Sequence, residues 1–157
     1  MTTPLNADFL QGLSTGEAER ILALGTRVTL ESGEELFRLG ADAKSIYLIA
    51  QGRIDLTMPM QIRGREQEVL VEERRQGQTL GWSALIPPYR FTLRAAAPLR
   101  SEVIAIPREA LTGYFRKHPE TGYIVTLNVA AVVGQRLSLF EAMWAREMSR
   151  MVELKCA

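Results

Sequence analysis

The sequence predicts an α+β domain, mainly β, in which short strands forming a sandwich or barrel lie between a short N-terminal helix and a long C-terminal one. Three observations carry this expectation. Between Arg27 and Ile106, runs rich in β-formers are separated by single glycines. Ahead of them stands a helix-start signature. After Pro107, apolar residues recur at helical rather than strand spacing.

The elements follow in chain order. Ser14 precedes Glu17 by three residues, the spacing at which each side chain can satisfy an orphan amide at a helix start. Ile21, Leu22 and Leu24 follow, and Gly25 ends the pattern, so a helix is expected over 15–24. The runs "RVTL", "ELF", "SIYLIA", "RIDLTM", "EVLVE" and "SEVIAI" read as strands, punctuated by Gly33, Gly40, Gly52, Gly64, Gly77 and Gly81. In "GRIDLTM", Ile54, Leu56 and Met58 share one face and Asp55 and Thr57 the other, the pattern of a half-buried strand. "QIRGREQE" is polar and glycine-centred and reads as a hairpin tip. "PREALTGYFRKHPE" opens with a proline suited to a first helical turn and must end before Pro119. The stretch from Glu120 to about Leu154 holds no proline. It places Tyr123, Ala130, Leu137, Trp144 and Met151 in one heptad row, with Val133, Phe140 and Leu154 in the next. A helix of ~30 residues extends ~45 Å, longer than a domain of this size is wide. Its distal Phe140, Trp144, Met148 and Met151 are therefore expected to meet a symmetric partner helix; the alternative is a helix that bends back as core.

Composition narrows the function. The 157 residues, 46% hydrophobic, suffice for one sizeable core, and 19 basic against 18 acidic residues leave a formal charge of +1. So balanced a chain has no global electrostatic pull toward nucleic acid or acidic lipid. No uninterrupted apolar run approaches the ~20 residues of a membrane span. "MTTPLNADFL" lacks the basic start and apolar stretch of a signal peptide. A cytoplasmic protein is expected, with no membrane partner. The single cysteine, Cys156, rules out a disulfide framework within the chain. With one histidine, His118, there is no metal-ligand cluster and no triad needing a second histidine; no P-loop is present either. Enzymatic activity is not expected. Glu34-Glu35 and Glu72-Glu73 fall at strand starts or ends and read as solvated charges.

The stretch "GEELFRLGADAKSIYLIAQGRI" carries a resemblance. Gly33-Glu34, Phe37, Gly40, Tyr47-Leu48-Ile49, Gly52 and Ile54 sit at the spacing of the cyclic-nucleotide-binding domain family. The chain is most similar to the sensory half of catabolite-activator-type bacterial regulators, from "LSTGEAERIL" to about residue 140. The resemblance implies a double-stranded, jelly-roll-like β-roll with flanking short helices over 1–118, and a dimerisation helix and tail over 119–157. It implies a ligand-sensing regulatory module in which ligand at the roll shifts the C-terminal helices, with Tyr123, Ala130, Val133, Leu137, Phe140, Trp144 and Met151 as the homodimer seam. It further implies that "GWSALIPPYRFT", Gly81 to Thr92, occupies the place of the phosphate-binding cassette.

Within that segment the resemblance makes Gly81, Trp82, Ser83, Ala84, Arg90 and Thr92 the ligand-binding candidates. Leu85 also matches the frame, and Arg94 is a second candidate cation. In the family a helical turn aims amides at a cyclic phosphate, an arginine forks onto its oxygens, and a glutamate accepts from the ribose hydroxyl. Trp82 stands where that glutamate is expected, and an indole only donates. Without a gap, Phe91 falls on the arginine position; deleting one residue brings Arg90 there. Two readings follow for each residue. Arg90 is an anion fork inside the roll or a solvated surface arginine. Trp82 is a stacking wall for a flat ligand or a ring that fills the ribose space. His118, a metal ligand in gas-sensing relatives, reads here as a helix-end histidine.

The expected function is a standalone, non-enzymatic ligand-binding sensor whose ligand is cyclic AMP, cyclic GMP or another small anion. Two alternatives stand beside it. One is a dimeric protein-interaction module with an occluded pocket. The other is a relative of transcription regulators that acts through a DNA-binding partner. "REMSRMVELKCA" is too short for a helix-turn-helix domain, so direct nucleic-acid binding is not expected. A downstream protein partner fits all three.

Overall fold

The computed structural model describes residues 7–157, so the first six residues of "MTTPLNADFL" lie outside the described residues. A 3₁₀ turn at Asp8–Leu10 leads into α1 (Thr15–Leu22). Its start is built as the sequence specifies: the Glu17 amide donates to Ser14 Oγ at 3.3 Å, and the Glu17 carboxylate accepts from the Ser14 amide. Eight strands follow: β1 (Thr26–Leu30), β2 (Glu35–Phe37), β3 (Ser45–Gln51), β4 (Arg53–Ile62), β5 (Arg65–Arg75), β6 (Thr79–Leu80), β7 (Arg94–Ala96) and β8 (Ser101–Pro107). They form two antiparallel four-stranded sheets, ordered β1-β8-β3-β6 and β2-β7-β4-β5, which enclose the core between them. This is the expected β-roll.

Alternation in β4 buries Ile54 and Leu56 while Asp55 and Thr57 are half-exposed, until a register shift between Leu56 and Thr57. The strands run much further into the hairpin than the polarity of "QIRGREQE" suggests. Pairing of β4 with β5 continues from Arg53↔Arg75 to Ile62↔Arg65, leaving Arg63 and Gly64 as the turn. Both turn residues have positive φ, 51° and 75°, the geometry of a two-residue turn that follows the right-handed strand twist. Cross-strand pairing, not side-chain polarity, sets the length of that ribbon.

Two helices close the chain. α2 (Arg108–Lys117) starts just after Pro107 and α3 (Pro119–Cys156) has Pro119 at its first position. His118 sits between them, with Nδ1 3.1 Å from the Tyr114 carbonyl and its ring stacked on Tyr114, a helix-end position as expected. α3 spans 38 residues, or about 57 Å at 1.5 Å per residue. One face of its first half, Val125, Val129 and Val132, is buried against the body. Thr121 adds a hydroxyl donated to Glu17 at 2.8 Å, and the Asn128 amide donates to the Phe9 and Gln11 carbonyls. Beyond Arg136 no residue of α3 is buried. The helix runs on past the body without a break and does not fold back as core.

By length and composition α3 is apolar enough to cross a membrane, a correction to the reading from uninterrupted apolar runs. Its small and neutral residues (Thr126, Ala130, Ala131, Gly134) dilute rather than break the apolar character. Part of that stretch is nevertheless the face buried on the roll.

Candidate functional site

The cassette segment hangs from β6. Tyr47 of β3 pairs with Leu80, and Asp8 anchors Thr79 by accepting from its amide at 3.1 Å and from its hydroxyl. The chain turns at Gly81 with φ 78°, where a Cβ would stand 3.0 Å from Tyr47 Cδ2 and 3.2 Å from the Ser45 carbonyl. Glycine is required there on both counts. A short 3₁₀ turn, Trp82–Leu85, follows, with Ser83 and Ala84 buried. Residues 86–90 are exposed, and the segment returns by backbone bonds from Phe91 to the Ala41 carbonyl (3.0 Å) and from Gly40 to the Phe91 carbonyl (2.8 Å).

That extended return decides which side chains face inward. Phe91 points into the roll and is 5% exposed, whereas its neighbours Arg90 and Thr92 are exposed. Arg90 donates to the Gly40 carbonyl at 3.2 Å on the outer surface, which corrects its placement as a fork inside the roll. Arg94 is held elsewhere as well, 2.6 Å from Glu35. Hydrogen bonds from Arg38 and Arg94 lower the Glu35 carboxyl below its ordinary range.

The interior is filled by the protein's own side chains. Phe91 stacks on Phe37 with ring centroids 3.7 Å apart and planes 9° from parallel, and Tyr47 lies tilted beside both. Burial raises the Tyr47 phenol above its ordinary value. Arg136 enters from α3, its guanidinium 5.6 Å from the centre of the Trp82 ring. It is 8% exposed and reaches Glu72 Oε2 through Nε (3.1 Å) and Nη2 (3.0 Å). Glu72 also stands 3.2 Å from Nε of the buried Arg74. Burial lowers the Arg136 guanidinium from its usual value, and Glu72 opposes that shift. Glu72 is therefore the counter-ion shared by two buried arginines and not a solvated strand-end charge.

What remains is a cavity of about 10 Å³, lined by Phe37, Leu56, Trp82, Phe91 and Arg136 with the cassette backbone. That is room for roughly one water, against the ~300–1,000 Å³ of small-molecule sites. Trp82 Nε1 is buried there and finds no hydrogen-bond partner among the described residues. A cyclic nucleotide does not fit this lining: the volume is too small, the Trp82 side chain supplies no acceptor, and Arg136 is already paired with Glu72.

Of the residues expected from sequence, Gly81, Trp82, Ser83 and Thr92 border the cavity, Ala84 is buried behind it, and Arg90 lies outside. Phe37, Glu72 and Arg136 were not anticipated. Arg136 could have been found: it continues the buried row Val125, Val129, Val132 at helical spacing, as a lone cation on an apolar face. Of the heptad residues, Tyr123, Leu137 and Trp144 are 67%, 58% and 66% exposed. Ala130 and Met151 are exposed too, while Val133 and Phe140 are half-buried. The row thus lies on the side of α3 turned away from the core.

Comparison with known proteins bears on the same region. The model of the family described as cyclic nucleotide-binding domain matches residues 27–118. The catabolite activator protein of Thermus thermophilus has 25% identity and a TM-score of 0.74, covering 90% of this chain and 62% of its own. A candidate cyclic nucleotide-binding protein of Geobacter metallireducens shares the fold at 24% identity and a TM-score of 0.71, covering 87% of this chain and 99% of its own. Patatin-like phospholipase domain-containing protein 7 of Rattus norvegicus is 31% identical over 102 residues, 60% of this chain and 7% of that protein. The chain spans only 7% to 19% of the curated relatives it matches.

Proposed function

This chain belongs to the cyclic nucleotide-binding domain family, and we propose that it serves as a dimeric, non-enzymatic regulatory and protein-interaction domain whose roll is occupied by its own side chains. One observation carries the reading: the Phe37–Phe91 stack and the Trp82–Arg136 contact leave a cavity of about 10 Å³ where a ligand would lie. In place of a ligand's phosphate, the α3 arginine pairs with Glu72 of β5. The orientation of α3 is then set by the protein itself. Its outward row of Tyr123, Ala130, Val133, Leu137, Phe140, Trp144 and Met151 meets a second copy, because a protruding apolar helix of this length is otherwise an aggregation surface. The protein acts in the cytoplasm, on a downstream protein.

Calorimetric titration with cyclic AMP and cyclic GMP tests the assignment. Neither nucleotide is expected to give saturable heat. Saturable binding lost in Trp82→Ala or Arg136→Ala would establish the sensor reading instead. The orphaned Trp82 Nε1 is the observation that favours that second reading, since a polar group without a partner suits a ring that swings aside.

A further inference from the structure

Outside the roll, the 3₁₀ turn Asp8–Leu10, the β5–β6 connection and one face of α3 border an open cleft of about 470 Å³, within the range of small-molecule sites. Five of its side chains are carboxamides: Gln11, Gln76, Gln78, Asn128 and Gln135. Several retain unused hydrogen-bonding atoms. Gln78 spends its oxygen on the Arg75 amide at 2.8 Å, leaving its amino group. Asn128 spends its amino group on two carbonyls, leaving its oxygen.

Two charged groups of opposite sign share the cleft. Arg74 is 4% exposed, and among the described residues its two terminal amino groups make no hydrogen bond. Arg74 lines the cleft, and up to four N–H donors of its terminal amino groups have no acceptor among the described residues. Asp8 binds Thr79 through both carboxylate oxygens, and each oxygen keeps acceptor capacity toward the cleft. Arg74 also keeps Glu72 3.2 Å from its Nε, so the cleft carries no excess positive charge and neither a dianion nor a dication is matched. Among the described residues no aromatic side chain lines the cleft, so none of them stacks on a base there.

We propose that this cleft binds a small zwitterion of the α-amino acid class. Arg74 takes the carboxylate, Asp8 the ammonium, and the carboxamides a polar side chain. The site is independent of whether the roll binds a nucleotide. Because Asn128 and Gln135 belong to α3 and Gln76 and Gln78 to the β5–β6 connection, an occupant fastens the helix to the sheet.

The test is amide NMR of the uniformly ¹⁵N-labelled full chain, titrated with L-glutamine, L-serine and L-arginine. At least one should give saturable shifts at residues 76–78 and 128–135. For L-glutamine, removing the ammonium (glutaramate as probe) should weaken binding tenfold or more. Ala131→Trp sets an indole across the cleft from an exposed wall position and leaves both charges in place. It should abolish the shifts while thermal unfolding stays cooperative. Absence of saturable shifts with all three amino acids would overturn the proposal. So would shifts that survive Ala131→Trp, or, where L-glutamine gives saturable shifts, an equal response to glutaramate.

Discussion

Replacing Arg136 with methionine keeps most of the aliphatic stem but removes the guanidinium, and so isolates the ionic latch between α3 and the roll. Removing one partner of a buried ion pair costs about 3–5 kcal/mol when the other charge is left uncompensated. Glu72 is not left so, because Arg74 remains 3.2 Å away and the Glu72 side chain is 20% exposed. The ionic loss should therefore fall to about 2 kcal/mol. The contact over Trp82, at 5.6 Å, adds roughly 0.5–1 kcal/mol. Urea unfolding at fixed protein concentration should show Arg136→Met destabilised by about 2–3 kcal/mol with an unchanged slope. A cycle with Glu72→Gln should give a coupling of about 1–2 kcal/mol. Hydrogen exchange should quicken at residues 125–136 and leave β3 and β8 protected. A loss below 0.5 kcal/mol, or exchange raised uniformly over the roll, would refute the latch.

The dimer row, the packing and the pH response offer further tests. Leu137→Glu with Trp144→Glu, at two well-exposed sites, should convert a sedimenting dimer to a monomer without unfolding the roll; a monomeric parent chain at high concentration would refute the seam. Gly52→Ala should cost about 3 kcal/mol in urea unfolding: φ is +88°, and the new Cβ would stand 2.3 Å from Ser101 Oγ, which holds the Arg53 backbone. Gly122→Ala, with a Cβ 2.8 Å from that of Phe115, should cost about 1–3 kcal/mol and loosen α2 from α3, read as faster exchange in both helices. The Glu35 carboxyl is lowered in the fold from an ordinary value of 4.5, so its contribution is present above that value and is lost as pH falls through the lower folded value. Urea midpoints compared at pH 7 and pH 3.5 should therefore drop less in Glu35→Gln than in the parent chain.

What could be read from sequence is what local rules decide. The Ser14–Glu17 box, the Ile54/Leu56 alternation and the break at Pro119 each depend on neighbours a few residues apart, and each appears where expected. The β-roll itself was legible because many glycine and apolar positions agree in spacing. The cassette was legible only as a location. Its phase depends on two backbone bonds to Gly40 and Ala41, fifty residues away, and they turn Phe91 inward and Arg90 outward. An alignment that inserts a gap to rescue the arginine chooses the wrong side chain. Phe91, on which the arginine position falls without a gap, is the side chain that the roll contains.

A filled roll is coherent and not simply a damaged site. The resemblance to the family's cassette implies that Phe91 takes the place of a phosphate-binding arginine and Trp82 that of a ribose-binding glutamate. On that reading the interior lacks both charges the family devotes to its ligand. The protein then brings one of each from elsewhere, Arg136 from α3 and Glu72 from β5, 64 residues apart in sequence and 3.0 Å apart in space. An isolated buried charge would be costly, and a pair answers that cost. Because one member lies on α3 and the other on the sheet, the pairing also fixes the helix against the roll. That fixation is built into the chain. Restoring Arg at position 91 and Glu at position 82 while Arg136 and Glu72 remain should therefore not restore nucleotide binding. Adding Arg136→Ala to empty the mouth should improve it, and calorimetry on the two variants separates a blocked cassette from a merely mutated one.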